Sequence, residues 1–262
     1  MACGSMMNVE SVYAALPNQD AAQKELEFSR TFDVKDFTEL EISSIFQVTF
    51  VQGKTYAVTG SSNRKELLDQ VKAENHNGKL TVQLDGSTGN LPGKNLLEIT
   101  ITAPSLNRVK IAGGASFSCE KLQTKGLEVN GSGIVKISFT TLQCEELGVK
   151  VSGGAKLDMG TVKAQSLDLD ASGIVQAKGV FNLSEDAEVK MSGSSSSTVE
   201  IKAGKIEFST TGTARMNAKV ECKSLEAKST GVGRITLTGT ADNVQFSTDG
   251  NSNINAKGLN RF

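Results

Sequence analysis

The sequence predicts an all-β, single-domain parallel β-solenoid: a right-handed β-helix of about eight 19–20-residue coils with an N-terminal mixed β cap. Three observations predict it. First, one pattern recurs from Asn107 to Phe262, in which alternating apolar residues lead to a small or hydroxyl residue and then to glycine. The glycines are Gly113, Gly133, Gly153, Gly173, Gly193, Gly212, Gly231 and Gly250, so a spacing of 20 holds four times and one of 19 three times. Second, the positions four before and four after each glycine are mostly apolar. Val109, Val129, Val149, Leu169, Val189, Phe208, Ala227 and Phe246 stand before it; Phe117, Ile137, Leu157, Ala177, Ser197, Met216, Ile235 and Ile254 stand after it. Apolar residues two apart define one face of a strand, and a unit of this period cannot bury that face without stacking on its neighbours. Third, the chain has 26 glycines but only 5% aromatic residues and no tryptophan, a composition suited to a thin, repeated core of small aliphatics. A β-sandwich is the alternative, but its turn signals rarely keep one offset over eight copies.

The elements follow in order. Residues 1–31 are polar and Ala-rich, with a short helix expected around Asp20–Glu27, and read as a tether or an edge-covering segment. Residues 32–106 read as the cap. Leu40-Glu41-Ile42 and Phe46–Phe50 alternate as strands, and Gln52-Gly53-Lys54 forms a tight turn. Asn63 opens a short helix with Glu66 as its capping partner and Leu67, Leu68 and Val71 as its buried face. Asn77-Gly78 signals a hairpin before Leu80, Val82 and Leu84. A Gly/Ser/Asn-rich loop covers Gly86–Gly93, and a strand at Leu97–Ile101 leads into the repeats of 107–262.

Within the repeats, each glycine needs φ > 0 or close backbone approach, and the Ser/Thr column before it forms a hydroxyl ladder. Outward positions carry Glu128, Asp168, Glu188, Glu207 and Glu226 beside Lys110, Lys150, Lys190 and Lys228. Stacked, these are an acidic and a basic column whose diagonal pairs offset like-charge repulsion. Ser194–Ser197 either flattens one side or leaves a poorly filled coil.

A net charge of -1 argues against a nucleic-acid partner, and no apolar run is long enough to span a membrane. Cys119, Cys144 and Cys222 fall at three different offsets, so no disulfide is expected among them. The single histidine, His76, reads as an exposed turn residue, and no nucleophile elbow or phosphate loop is present. No catalytic, cofactor-binding or metal-ligating residue is expected. Calcium repeats need Gly-Gly-x-Gly-x-Asp, which Gly153–Asp158 approaches once without the third glycine. Solenoid enzymes wall a cleft with long corner loops, for which coils this short leave no room. Ala2-Cys3-Gly4-Ser5 matches the end of a bacterial lipoprotein signal, making Cys3 the lipid-anchor candidate.

The order of several short motifs resembles a known family, the Bacteroidetes-type head GIN domain family of auto-transporter adhesins, over about Phe32 to Phe262. Phe37, Leu40 and Ile42, then Val48–Gly53, then Asn77-Gly78-Lys79-Leu80 match its opening. Ser132-Gly133-Ile134 and Ser172-Gly173-Ile174 match its repeat, and Asn253-Ile254-Asn255 is similar to its later part. The resemblance implies a β-solenoid exported to the periplasm or outer-membrane surface, often as a lipoprotein, with no established activity. The expectation is therefore a non-enzymatic cell-envelope protein with no cofactor, binding a glycan or protein. It would meet a membrane only through a lipid anchor and could self-associate through solenoid faces or ends. The alternatives are a carbohydrate-active enzyme, lyase or hydrolase, on a β-helix scaffold and a purely structural envelope component.

Overall fold

The computed structural model describes residues 26–85 and 95–261. Cys3, most of the helix expected over Asp20–Glu27 and the Gly86–Gly93 loop lie outside the described residues. Strand β1 (Phe28–Phe32) is followed by β2 (Glu39–Ser44), β3 (Gln47–Gln52), β4 (Ala57–Ser62), a one-turn helix α1 (Lys65–Asp69), β5 (Val71–His76), β6 (Lys79–Leu84) and β7 (Leu97–Ala103). Asn77 and Gly78 have φ of 54° and 84°, the paired positive values of the hairpin turn that the Asn-Gly dipeptide favours.

Helix α1 differs from the sequence reading at its start. Its N-cap is Arg64, without a side-chain cap. Asn63 instead accepts a hydrogen bond from the Leu96 amide at 3.0 Å, so its carboxamide is committed to the approach to β7. Leu67, Leu68 and Val71 are buried as expected.

The repeats then run through β8 (Arg108–Gly113), β9 (Ser116–Gln123), β10 (Gly126–Gln143), β11 (Glu146–Ala164), β12 (Ser166–Leu183), β13 (Asp186–Gly193), β14 (Ser196–Lys202), β15 (Lys205–Gly212), β16 (Arg215–Gly231), β17 (Arg234–Gly250) and β18 (Asn253–Asn260). All pair in parallel with the equivalent stretch of the next coil. Leu127 faces Leu147 and Gly133 faces Gly153 at an offset of 20, whereas Ile206 faces Leu225 and Gly212 faces Gly231 at 19. The glycine spacing read from the sequence is therefore the pairing register itself, with coil 1 beginning at Asn107 and coil 8 at Val244.

Each coil has three sides. In coil 2, Leu127, Val129, Val135, Ile137, Phe139 and Leu142 point inward, and the alternation breaks outward at Ser132–Ile134, Thr140–Thr141 and Glu145–Glu146. These breaks are the glycine corner, the second corner and the third corner. At the glycine corner, Gly153 has φ +87° and a Cβ there would lie 2.6 Å from the Gly133 carbonyl oxygen. Both reasons for glycine hold together: the left-handed backbone, and coils too close to admit a methyl group.

The inward column from Val109 to Ala227 is no more than 2% exposed. Its last member, Phe246, is 39% exposed, because no described residue stacks beyond coil 8. Ser195 and Ser197 face inward and are buried. The serine run therefore fills coil 5 poorly rather than flattening a side. Ser195 returns its hydroxyl to the Ser192 carbonyl at 2.7 Å, whereas the Ser197 hydroxyl has no partner.

The N-terminal region continues the same stack out of chain order. β2 lies between β8 and β6, parallel to both, and β3 lies between β9 and β7 in the same way. The β2/β3 layer thus sits directly on coil 1, and β6/β7 forms the layer beyond it. That end is then closed by antiparallel strands, β5 on β6, β4 on β7 and β1 on β4. Glu41 in the middle layer receives the ammonium groups of Lys79 and Lys110 at 2.7 Å each, one from the layer on either side. The Lys110 hydrogen bond first, and then that of Lys79, hold its carboxyl below the usual value of 4.5.

Candidate binding surface

The first side of the coils, between the third and glycine corners, carries the two charged columns. Its ion pairs run differently from the diagonal arrangement expected. Lys190 bonds Glu188 and Lys228 bonds Glu226 at 2.6 Å, each within one strand, and Arg108 bonds Glu128 across neighbouring coils at 2.8 Å. Residues i and i+2 on one strand face are about 6.6 Å apart, closer than the roughly 7–8 Å of a diagonal pair, so a lysine reaches its own strand's glutamate first. Asn130 and then Arg108 keep the Glu128 carboxyl below its ordinary range.

A groove follows the third corner from coil 1 to coil 6, about 24 Å at about 4.8 Å per coil. Two hollows that share Glu146 and Gly148 form it, of about 610 and 390 Å³. Glu128, Asp168, Glu188 and Glu207 supply one wall, and Glu146 and Asp186 supply the other; only Lys125 and Lys205 among its lining residues are basic. Glu146, Asp168 and Asp186 form none of the salt bridges found among the described residues. Gly148 opens a notch, since a Cβ there would meet nothing within 4 Å. Sequence reading placed the acidic column but missed the groove, because the second wall comes from the position just before each repeat. Tabulating that position gives Glu146 and Asp186 directly.

The second side carries a depression of about 500 Å³. It forms where Gly160 bulges the coil, with φ +48° and a register shift between Asp158 and Thr161. A side chain at Gly160 would strike the Thr140 and Phe139 carbonyls of the preceding coil, and one at Gly179 would enter the core against Phe181 and Met159. Val180 lies exposed on the floor, and Thr198, Asn217 and Thr236 stand along the rim. Two ion pairs bound it, Lys178–Asp158 at 2.7 Å and Lys219–Glu200 at 2.9 Å. Such a surface, an apolar floor with a few polar groups placed around it, suits an uncharged or weakly charged polyhydroxyl ligand.

The glycine corner is a ridge. Position 7 of successive coils reads Gly114, Ile134, Gly154, Ile174, Ser194, Thr213, Val232 and Asn251, and Ile45 takes that place in the β2/β3 layer. Ile45, Ile134 and Val232 are 38%, 39% and 62% exposed. Lys110 and Lys150 flank the ridge on the first side and Lys136, Lys156, Arg215 and Arg234 on the second.

His76 is exposed at the end of β5, 3.2 Å from Glu74. Cys119, Cys144 and Cys222 are buried free thiols. Burial pushes Cys119 up to about 12 and Cys144 and Cys222 to about 11. Among the described residues, no three His, Cys, Asp or Glu side chains are grouped to hold a metal ion, and no helix is long and apolar enough to cross a membrane.

Comparison with known structures gives the same architecture. A putative adhesin from Bacteroides fragilis superposes with a TM-score of 0.62 at 20% identity, over 87% of this chain and 98% of that one. A putative adhesin from Parabacteroides merdae gives 0.63 at 16%, over 89% and 97%. A chain from Parabacteroides distasonis described as a putative lipid binding protein gives 0.64 at 17%, also over 89% and 97%. No curated protein matches the sequence. One family's sequence model matches residues 36–200 and again 187–261, overlapping as a repeating coil permits. With nearly all of the described chain matched, this protein belongs to the family described as "Putative auto-transporter adhesin, head GIN domain".

Proposed function

We propose that the chain is a non-enzymatic, exported cell-envelope adhesin that takes an extended glycan along its second side, centred on the depression around Val180. One observation carries the reading: the coils close at the glycine spacing without inserted loops, leaving long sides that stay in register apart from local shifts at Asp158–Thr161 and Thr236–Thr238. A repeating surface of this kind presents equivalent groups about every 4.8 Å and favours a ligand that is itself extended. Membership of a family described as adhesins supports the surface-binding role. Export as a lipoprotein anchored through Cys3, at the periplasmic or outer-membrane surface, belongs to the same reading.

The test is binding of the purified chain to glycan and matrix-protein arrays, with hydrolysis and lyase products followed in the same wells. The expected result is glycan retention without product, lost in Val180→Asp and weakened in Asn217→Ala while the melting temperature stays unchanged. Retention on proteins alone overturns the glycan assignment. A second reading, a carbohydrate-active enzyme, is favoured by the unpaired carboxylates of the third-corner groove; product release that disappears in Asp168→Asn would establish it. Silence in every well favours a purely structural envelope role.

A further inference from the structure

We propose that copies of this chain associate side by side, the glycine-corner ridge of one seated in the third-corner groove of the next. The ridge carries aliphatic teeth, exposed at Ile134 and half-buried at Ile174, two coils or roughly 9.6 Å apart. Between and beside them stand Gly114 and Gly154, which leave gaps. Among its flanking cations, Lys136, Lys150, Arg215 and Arg234 form none of the salt bridges found among the described residues. The groove offers the reverse pattern: unpaired Glu146, Asp168 and Asp186, and a notch at Gly148 where a side chain would meet open space.

Three considerations select a second copy as the occupant. The charges are complementary, ridge positive and groove negative. Ridge and groove share one backbone spacing per coil because both belong to the same solenoid, so parallel copies stay in step along the contact. Two ridges facing each other would set cation against cation, which disfavours any arrangement that pairs ridge with ridge. The contact is heterologous, and contacts of that kind propagate into rows unless the rotation closes a ring. A ridge seated over about 24 Å buries on the order of 1,000 Å² in total, the low end for specific interfaces. A single contact is therefore weak and shows itself at high concentration.

Sedimentation velocity in low salt, from about 10 μM to several hundred μM, tests the proposal. The wild-type chain is expected to form species that grow with concentration and dissolve in 1 M salt, where screening falls to about 3 Å. Lys136→Glu with Ile134→Ser removes the ridge; Gly148→Leu plugs the groove at a position with room for a side chain. Each variant alone is expected to stay monomeric, and an equimolar mixture to stop at a heterodimer, since one intact ridge and one intact groove remain. Circular dichroism melts confirm folding, and Lys136→Glu alone serves if the double change fails to fold. A wild-type chain monomeric throughout, a ridge variant that still assembles or a mixture without heterodimer overturns the proposal.

Discussion

Ser44 stands in a column otherwise made of glycine. It pairs with Gly113 and has φ 116°, a conformation that costs a side-chain-bearing residue roughly 1–3 kcal/mol. Ser44→Gly is expected to stabilise the chain by about 1 kcal/mol in denaturant titration. The converse change, Gly153→Ala, meets both a left-handed backbone and the Gly133 carbonyl, and should destabilise by at least about 2 kcal/mol. Inward and outward assignment is tested by Val149→Asp against Lys150→Asp. Val149 is fully buried and Lys150 exposed, so the first should cost several kcal/mol, about 3 or more, and the second under about 0.5. Equal effects would sink the frame. The three buried thiols make a further prediction. Their raised values mean that the folded chain holds protons which the unfolded chain releases near 9.0, so stability is full below pH 9 and declines as pH rises toward 11–12. At neutral pH, maleimide mapped by mass spectrometry should label these three sites only under unfolding conditions.

At the scale of elements, what the sequence disclosed depended on whether a signal was local or repeated. The Asn77-Gly78 hairpin was legible from two residues, because few other dipeptides adopt two positive φ values. The coil register was legible from the glycine column, where backbone geometry demands one residue type. Helix α1 was found but its cap was misplaced, since Asn63 has a tertiary partner at Leu96 that no local rule anticipates. The placement of β2 and β3 between two later layers was not legible. Parallel pairing between strands as distant in the chain as those of Leu40 and Val109 leaves no periodic mark. Glu41, like Gln52, is a side chain that ties those layers together. Glu41→Gln should lower stability by about 0.5–1 kcal/mol at neutral pH, as for a partly exposed ion-pair network. With the folded value lowered, that contribution is present above 4.5 and lost as pH falls through the folded value, so wild type and variant should converge in acid.

For the whole molecule, the two ends of the stack are unlike. One is closed by antiparallel β4 and β5; in the last described coil the inward residues Val244, Ile254, Ala256 and Leu259 remain half-buried. Hydrogen exchange should follow that gradient, fastest in β18 and slowest in β10 to β12, since each solenoid coil draws stability from its neighbours. Uniform protection along the axis would contradict it. The candidate surfaces were only partly legible at this scale. Charge columns show in a table of repeats, whereas a groove or a ridge exists only where two columns from different parts of the coil meet at a corner.

The interleaved position of the β2/β3 layer bears on the order in which the chain can be assembled as it is synthesised. A polypeptide emerging N-terminus first makes this layer early, yet both of its parallel partners, β6/β7 and β8/β9, are made later. Until Cys119 has emerged, the layer cannot have a complete neighbour on the coil 1 side. From coil 2 onward the situation reverses, since every new coil finds a finished template behind it. Assembly therefore has a committed stage, which lasts until β9 is made, and an additive stage in which each further coil zips onto a waiting edge.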